Sequence, residues 1–121
     1  MTKNKTQKPY DLEDRTLEYA KSVRAFIKSI PKTLSNIEDG KQLIRSSGSV
    51  GANYIEANEA LSKKDFLYRI KLCRKEAKES RFWIELMDTE HDDTLNKLKK
   101  SLANETMELM KIFGSIVTKS Q

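Results

Sequence analysis

The most chemically suggestive part of the sequence is residues 63–81, which contain eight basic and three acidic residues. Five of the basic residues recur at helical spacing, so a helix would bring their charges together on one side. These five are Lys71, Arg74, Lys75, Lys78 and Arg81. Tyr68 and Phe82 flank them, and exposed aromatic rings can stack on nucleobases. The pattern is typical of a phosphate-binding surface and equally of a solvated face whose charge Glu76 and Glu79 balance.

Residue types that usually carry catalysis or bind metals are scarce and poorly placed. The single His91 lies in the acidic stretch 90–93, which is more typical of a solvated loop than of a metal site. The single Cys73 falls on an apolar stripe with no partner base at helical spacing. No Glu-x-x-His pair is present, although di-metal carboxylate bundles need one on each of two helices. We therefore expect no enzymatic activity, no metal and no cofactor.

A second polar set lies on the basic segment and on the segment before it. Its members are Arg45, Ser49, Asn53, Glu56, Glu76 and Glu79. An antiparallel hairpin of the two segments would place Arg45 beside Glu76 and Glu79, and Ser49 beside Arg74. We interpret the set as a structural network that fixes the register of two helices, in preference to a catalytic site.

Between these polar residues, the side chains of residues 46–52 are unusually small, with the sequence SSGSVGA. Such residues are poor helix formers, and a loop rich in Gly and Ser could cradle a phosphate. The Gly-Lys-Ser/Thr end of a phosphate-binding P-loop is missing, however. We expect instead a helix whose small side chains let another backbone approach closely.

Helical periodicity predicts the elements that must position these residues: four helices over about residues 11–30, 36–60, 62–87 and 93 to the end. Pro31 ends the first, whose core stripe is predicted as Leu17, Ala20, Val23, Ile27 and Ile30. Capping boxes at Ser35 and Ser62 start the second and third helices. The third carries a heptad seam from Phe66 to Met87. The fold class is therefore all-α, an antiparallel up-down-up-down four-helix bundle with helix in roughly three quarters of the residues.

Length and composition limit the classes of protein to consider. The length of 121 residues predicts a single domain, over residues 11–121, preceded by a flexible basic tail at residues 1–10. No apolar run approaches the roughly 20 residues of a membrane span or resembles a secretory signal, so we expect a cytoplasmic protein without a membrane partner. The formal net charge of +5 favours anionic partners.

Four stretches together resemble a known family: residues 43–57 (LIRSSGSVGANYIEA), 62–66 (SKKDF), 75–79 (KEAKE) and 83–84 (WI). They are similar to bacterial four-helix-bundle proteins encoded in intervening sequences of 23S rRNA genes, which are also labelled ribosomal proteins. The resemblance extends over about residues 11–117. The accessory variability protein of diversity-generating retroelements is a relative in that family.

This resemblance implies a bundle protomer that assembles into a closed ring, typically a homopentamer. The accessory variability protein binds nucleic acid and a reverse transcriptase through a basic surface. The family's Ser-x-x-x-Asn-x-x-Glu pattern maps onto Ser49, Asn53 and Glu56, and the family has no established catalytic residues to carry over.

Together these patterns lead to one functional hypothesis and one alternative. The hypothesis is a non-enzymatic, oligomeric nucleic-acid-binding protein, with structured RNA favoured over DNA. The alternative is a ring that recruits a protein such as a reverse transcriptase, with charge serving only solubility. We expect the ring contacts to involve the small residues Gly48 and Gly51 and the off-stripe residues Ile55, Met107 and Met110.

Overall fold

The computed structural model describes residues 11–121, so the predicted basic tail lies outside the described residues. Four helices follow one another: α1 (Leu12–Ser29), α2 (Leu34–Asn58), α3 (Lys63–Leu86) and α4 (Asp93–Ser120). They account for more than three quarters of the chain, and residues 11–121 contain no strand, which confirms the all-α prediction. None of these helices is long and apolar enough to span a membrane.

Each helix begins at a side chain that caps its first turn. Asp11, Thr33, Ser62 and Asp92 each accept a hydrogen bond from the backbone N–H three residues later, at 2.9–3.3 Å. The prediction of Ser62 as a cap is confirmed, whereas the prediction of Ser35 is wrong. Thr33 takes that role because its backbone is extended after the turn at Pro31, so α2 starts earlier.

The helices form an antiparallel bundle in which α1 and α3 each pack against α2 and α4. At three interfaces, residue numbers rise along one helix as they fall along its neighbour. Between α2 and α3, for example, Arg45 contacts Glu79 and Asn53 contacts Arg69. The core is built on the fully buried side chains of Phe26, Leu43, Ile70, Ile84, Leu109 and Phe113. Short loops and four amphipathic faces therefore give the expected up-down-up-down bundle.

The predicted core seam is right for α3 and partly wrong for α1. Along α3, the seam residues from Ile70 to Met87 are buried, and Phe66 is half-buried. Along α1, Val23 and Ile30 are buried, but Leu17 is 52% exposed. The α1 core stripe instead contains two polar residues, Thr16 and Tyr19, together with Leu12, Val23, Phe26 and Ile30.

Those polar residues are tolerated because the bundle interior satisfies their hydroxyl groups. The Thr16 hydroxyl donates to the carbonyl of Leu12 at 2.7 Å. The hydroxyls of Tyr19 on α1 and Thr106 on α4 lie 2.6 Å apart, and those of Ser46 on α2 and Ser80 on α3 lie 2.8 Å apart. A buried polar layer, defined as Tyr19, Ser46, Ser80 and Thr106, thus takes one residue from each helix and fixes the register of all four.

One end of the bundle is tied together by the buried side chain of Asn36. Its amide nitrogen donates to the carbonyls of Pro31 and Asp88, at 3.0 and 2.9 Å. Its amide oxygen accepts the backbone N–H of Asp88 at 2.9 Å. Asn36 therefore links the α1–α2 loop to the α3–α4 loop.

The small residues 46–52 lie inside α2, so this stretch is a continuous helix rather than a phosphate-binding loop. A Cβ added at Gly51 would lie 2.8 Å from the Thr16 hydroxyl oxygen, so only glycine fits without displacement of α1. The predicted close approach is confirmed for Gly51. Its partner, however, is α1 of the same chain, so the glycine carries no evidence for a contact between subunits.

Candidate nucleic-acid interface

The five basic residues predicted to bind phosphate are exposed on the flank of α3 that faces α4. Four of them line a groove of about 360 Å³ together with Met110 and Val117 of α4. Arg81 lines a second hollow, which it shares with residues nearer the start of α4. We call this continuous surface between the two helices the α3–α4 groove. The four residues in its first part are Lys71, Arg74, Lys75 and Lys78.

Few local carboxylates offset these charges. Among residues 11–121, none of the five cations lies within 4.0 Å of a carboxylate as an ion pair. The two glutamates that were the candidates for this role turn toward α2, where Arg45 approaches Glu79 at 2.7 Å and Glu76 at 3.5 Å. Of the five cations, Lys75 is the one whose charge lowers the pKa of Glu79 without forming an ion pair. Glu76 and Glu79 therefore lie on a different flank of α3 from these five cations.

The acidic flank is held in place by its own contacts. Partial burial raises the pKa of Glu79, but hydrogen bonds from Arg45 and from the Trp83 indole outweigh that effect, so its pKa is lowered overall. The same hydrogen bond raises the pKa of the Arg45 guanidinium. Glu79 thus stays with Arg45 as a carboxylate and does not reach the α3–α4 groove.

Arg74 reaches across to α4 over a glycine. A Cβ built on Gly114 would lie 3.5 Å from the Arg74 Nε atom, so the guanidinium stem runs close along the α4 backbone. The expectation that Ser49 of α2 lies near Arg74 is therefore wrong, because Arg74 leaves α3 on the other side. Its position over α4 adds a charge to the middle of the α3–α4 groove.

The two predicted stacking residues are both accessible. Tyr68 is 58% and Phe82 57% exposed, and 14 positions of α3 separate them, about 21 Å along the axis. The Phe82 ring packs edge-on against Trp83 at 5.0 Å between centroids. The Tyr68 ring lies 5.8 Å from the Arg69 guanidinium and next to Lys71 in a shallow hollow. Aromatic surface therefore lies near both ends of the basic row.

The predicted polar network divides into separate contacts. Arg45 pairs with Glu76 and Glu79, as described above. The Asn53 amide accepts from Arg69 at 3.1 Å and donates to the backbone carbonyl of Ser49 at 2.9 Å. Glu56 is exposed and joins none of these contacts. Of the three residues in the Ser-x-x-x-Asn-x-x-Glu pattern, Asn53 is the one whose side chain contacts α3, where it helps to fix the register of the two helices. The three side chains therefore do not meet at one site.

Cys73 and His91, whose residue types often serve in catalysis, lie in surroundings typical of structural residues. Burial raises the pKa of the Cys73 thiol to about 12, so the reactive thiolate is strongly disfavoured. His91 is exposed in the α3–α4 loop, in a left-handed backbone conformation with φ 66°. In the part of the chain that the structure describes, no three His, Cys, Asp or Glu side chains are grouped as a metal site would need.

Sequence reasoning on α3 alone missed the second wall of the groove. That wall comes from a stripe of α4 at spacings of three or four residues: Lys100, Ala103, Met107, Met110, Gly114 and Val117. The stripe is visible in the sequence, but its neighbour is not, because periodicity does not say which helix faces which.

The fold and the sequence of this chain are similar to those of known proteins. A protein with unknown function from the S23 ribosomal protein family of Bacteroides thetaiotaomicron VPI-5482 has a similar crystal structure, with a TM-score of 0.72 and 29% sequence identity. The match covers 87% of this chain and 96% of that one. No curated protein matches the sequence. The family model of the 23S rRNA-intervening sequence protein matches residues 9–115, and the chain belongs to that family.

Proposed function

We propose that this protein is a non-enzymatic, homo-oligomeric nucleic-acid-binding protein that takes structured RNA along the α3–α4 groove. The observation that carries the proposal is the sorting of charge on α3. Five cations face the groove, while Glu76 and Glu79 are held by Arg45 on the opposite flank. An unneutralised row of this kind attracts phosphates and releases their counterions on binding.

The row suits a nucleic-acid backbone. Between residues 71 and 81 the cations advance by one or three positions at a time, which spreads them over about 15 Å of helix axis. Such contacts report the shape and position of phosphates and carry little information about base sequence. Structured RNA, which proteins recognise largely by shape and by unpaired bases, is the favoured ligand over DNA.

The direct test measures the RNA affinity of a Lys71→Glu/Arg74→Glu/Lys78→Glu variant across a series of salt concentrations. A control with the same change of charge is Lys28→Glu/Lys97→Glu/Lys119→Glu, because these three lysines are exposed and line neither the α3–α4 groove nor the groove between α1 and α2. Circular dichroism establishes that both triple variants keep their helix content. Fluorescence anisotropy with a labelled RNA hairpin and a DNA duplex of the same sequence gives the dissociation constants.

We expect the α3 variant to lose on the order of 100-fold in affinity, and its dependence of log K on log salt to become shallower by about three units of slope. The control should bind as the unaltered protein does, apart from a small effect of total charge. Equal losses in both variants would contradict a localised site. Full binding by the α3 variant would move the interface elsewhere, for example to the basic residues at positions 3, 5 and 8.

Oligomerisation is proposed through a different surface, the α1–α2 groove. This groove of about 340 Å³ is lined mostly by apolar and small side chains, including Leu17, Ala20, Ala52 and Ile55. Leu17 is 52% and Ile55 50% exposed, which makes this an apolar patch suited to a second copy of the chain. A ring built through this groove would repeat the basic row and convert weak contacts into avidity. Sedimentation at micromolar concentration should give an oligomer; a monomer would overturn this part of the proposal.

The same apolar groove supports the second candidate function, a ring that recruits a protein partner. Salt separates the two candidates, because phosphate binding weakens steeply as salt rises, whereas apolar contacts do not. RNA binding that is absent even at low salt would favour the scaffold.

A further inference from the structure

The end of the α3–α4 groove near Arg81 differs from the rest of the groove in its chemistry. It opens into a hollow of about 330 Å³, within the range of small-ligand sites. We call it the Glu85 hollow. Its walls include Arg81 and Glu85 of α3 and Lys100, Ala103, Asn104 and Met107 of α4. It combines cations, a carboxylate, an amide and an apolar floor, whereas the part of the groove around Arg74 is lined only by cations and apolar side chains.

Glu85 is the unusual member of this set. It is the carboxylate in a hollow that three cations also line, yet within the described residues it forms no ion pair within 4.0 Å. Arg81, four residues earlier on α3, is not paired with it, and the ammonium group of Lys99 is engaged otherwise: it donates to the backbone carbonyls of Glu85 and Met87, at 3.1 and 2.9 Å. Both carboxylate oxygens of Glu85 therefore remain available as acceptors.

A carboxylate of this kind selects ligands that present two hydrogen-bond donors side by side. Among the RNA bases, the Watson–Crick edge of guanine presents the ring N1–H and the exocyclic amino group in parallel, whereas uracil presents one ring N–H. Arg81 and Lys100 supply positive charge for the attached phosphate, and Met107 and Ala103 supply apolar surface for the base. The Asn104 amide is exposed on the same wall.

We propose that the Glu85 hollow binds an unpaired guanine of the RNA strand, with the Glu85 carboxylate accepting hydrogen bonds from the guanine N1–H and amino group. This inference rests on the proposed function, since Arg81 belongs both to the basic row and to the hollow. It adds a base preference to a surface that otherwise reads only phosphates. Unpaired bases of RNA loops and bulges are the sites at which proteins recognise sequence.

The experiment compares three single-stranded RNA octamers, (GU)4, (IU)4 and U8, by fluorescence anisotropy. Inosine lacks the exocyclic amino group of guanine and keeps the ring N–H. The unaltered protein should bind (GU)4 about tenfold more tightly than U8, with (IU)4 between them. The Glu85→Gln variant should lose most of this preference and keep its affinity for U8. Glu59→Gln, an exposed glutamate at the end of α2, is the matched control and should change neither value.

Guanosine and uridine monophosphates test the hollow without the rest of the groove. In NMR spectra of 15N-labelled protein, guanosine monophosphate should shift the side-chain amide signal of Asn104, and uridine monophosphate should shift it much less. Equal affinity for all three octamers, together with no selective shift, would overturn the guanine site and leave the phosphate-binding proposal standing. Loss of all octamer binding with a selective guanosine monophosphate shift would overturn the proposed function and keep the hollow as a nucleotide site.

Discussion

The two grooves of this bundle have the same architecture and opposite chemistry. The α1–α2 groove has mostly apolar and small lining residues, exposed Leu17 and Ile55, and a glycine at its base that contacts α1. The α3–α4 groove has a cationic wall on α3 that faces apolar residues of α4, and the Arg74 stem lies across the glycine at its base. Each pair of antiparallel helices leaves one such furrow, so the fold supplies the shape and the side chains decide what enters it.

The difference also shows why the charge of a helix, counted as a total, is a poor guide to its function. Glu76 and Glu79 lie in the same turns of α3 as the basic row, yet they form their ion pairs with Arg45 of α2 and not with their own neighbours. The flank on which each charge lies determines the field that a ligand meets. The comparison of the two grooves can therefore be tested by altering one groove at a time.

The largest effect is expected from charge placed in the apolar groove. A Leu17→Glu/Ile55→Glu variant puts two carboxylates where the proposed subunit contact would bury them, which should weaken self-association by at least about 100-fold, or about 2.7 kcal/mol. Sedimentation velocity measures the change. Leu61→Glu, at a position that is 96% exposed in the α2–α3 loop, is the control and should leave assembly intact. An oligomer that survives the double substitution would place the subunit contact on another face.

The glycine of the apolar groove should be intolerant of any side chain. In Gly51→Ala, the new Cβ would lie 2.8 Å from the hydroxyl oxygen of Thr16, which is buried and bonded to the Leu12 carbonyl. The resulting overpacking exceeds the gain in helix propensity, and we expect a net loss of about 1–2 kcal/mol in the free energy of unfolding. Urea denaturation measures it. A Thr16→Ala substitution in the Gly51→Ala background should recover part of the loss; the two costs should not simply add.

The glycine of the basic groove should respond in the opposite direction. In Gly114→Ala, the Cβ would meet Arg74 Nε at 3.5 Å, an ordinary contact with a flexible side chain. We expect the higher helix propensity of alanine to stabilise the bundle by about 0.5–1 kcal/mol, with RNA affinity unchanged. The same urea titration detects it. Destabilisation here would mean that the two grooves are equally tight and would remove this part of the contrast.

The smallest effect is expected on the acidic flank of α3. Arg45→Gln breaks ion pairs in which the arginine side chain is half exposed to solvent, so the stability change should stay under about 1 kcal/mol. RNA affinity should change by less than about twofold, because Arg45 lies away from the α3–α4 groove. Arg81→Gln removes the same charge within that groove and is the comparison. A loss of RNA affinity with Arg45→Gln as large as with Arg81→Gln would show that both flanks of α3 contact the ligand.

How far the sequence could predict these features depended on whether apolarity and burial coincide. The α3 seam was predictable because its buried positions are apolar or small, from Ile70 through Ile84. The α1 seam was not, because Thr16 and Tyr19 are buried and Leu17 is not. The burial of Thr16 and Tyr19 depends on hydrogen bonds, and the partner of Tyr19, Thr106, lies 87 residues away on α4.

The candidate site, like the core, could be predicted from the sequence only in part. The spacing of the five cations along α3 was predictable, since helical periodicity alone brings them to one side. The flank chosen by Glu79 and the place of Arg74 over Gly114 were not, because they depend on which neighbour lies on each side of α3. The Glu85 hollow depends also on the register of α3 against α4, which one residue's shift would change.

The hydrogen bonds of the Asn36 side chain to Pro31 and Asp88, here called the Asn36 clamp, have a consequence for which end of the bundle unfolds first. Three hydrogen bonds of one buried side chain join the loop at Pro31 to the loop at Asp88, which lies 52 residues beyond Asn36 in the chain and at the same end of the bundle. Amide hydrogens there, that of Asp88 above all, should exchange with deuterium as slowly as those of the helix interiors. At the opposite end, the α2–α3 loop carries the almost fully exposed Leu61 and has no such clamp among its described residues. We therefore expect fraying to begin beside Tyr68 and to proceed toward Arg81, so that the two ends of the basic row differ in rigidity in the absence of a ligand.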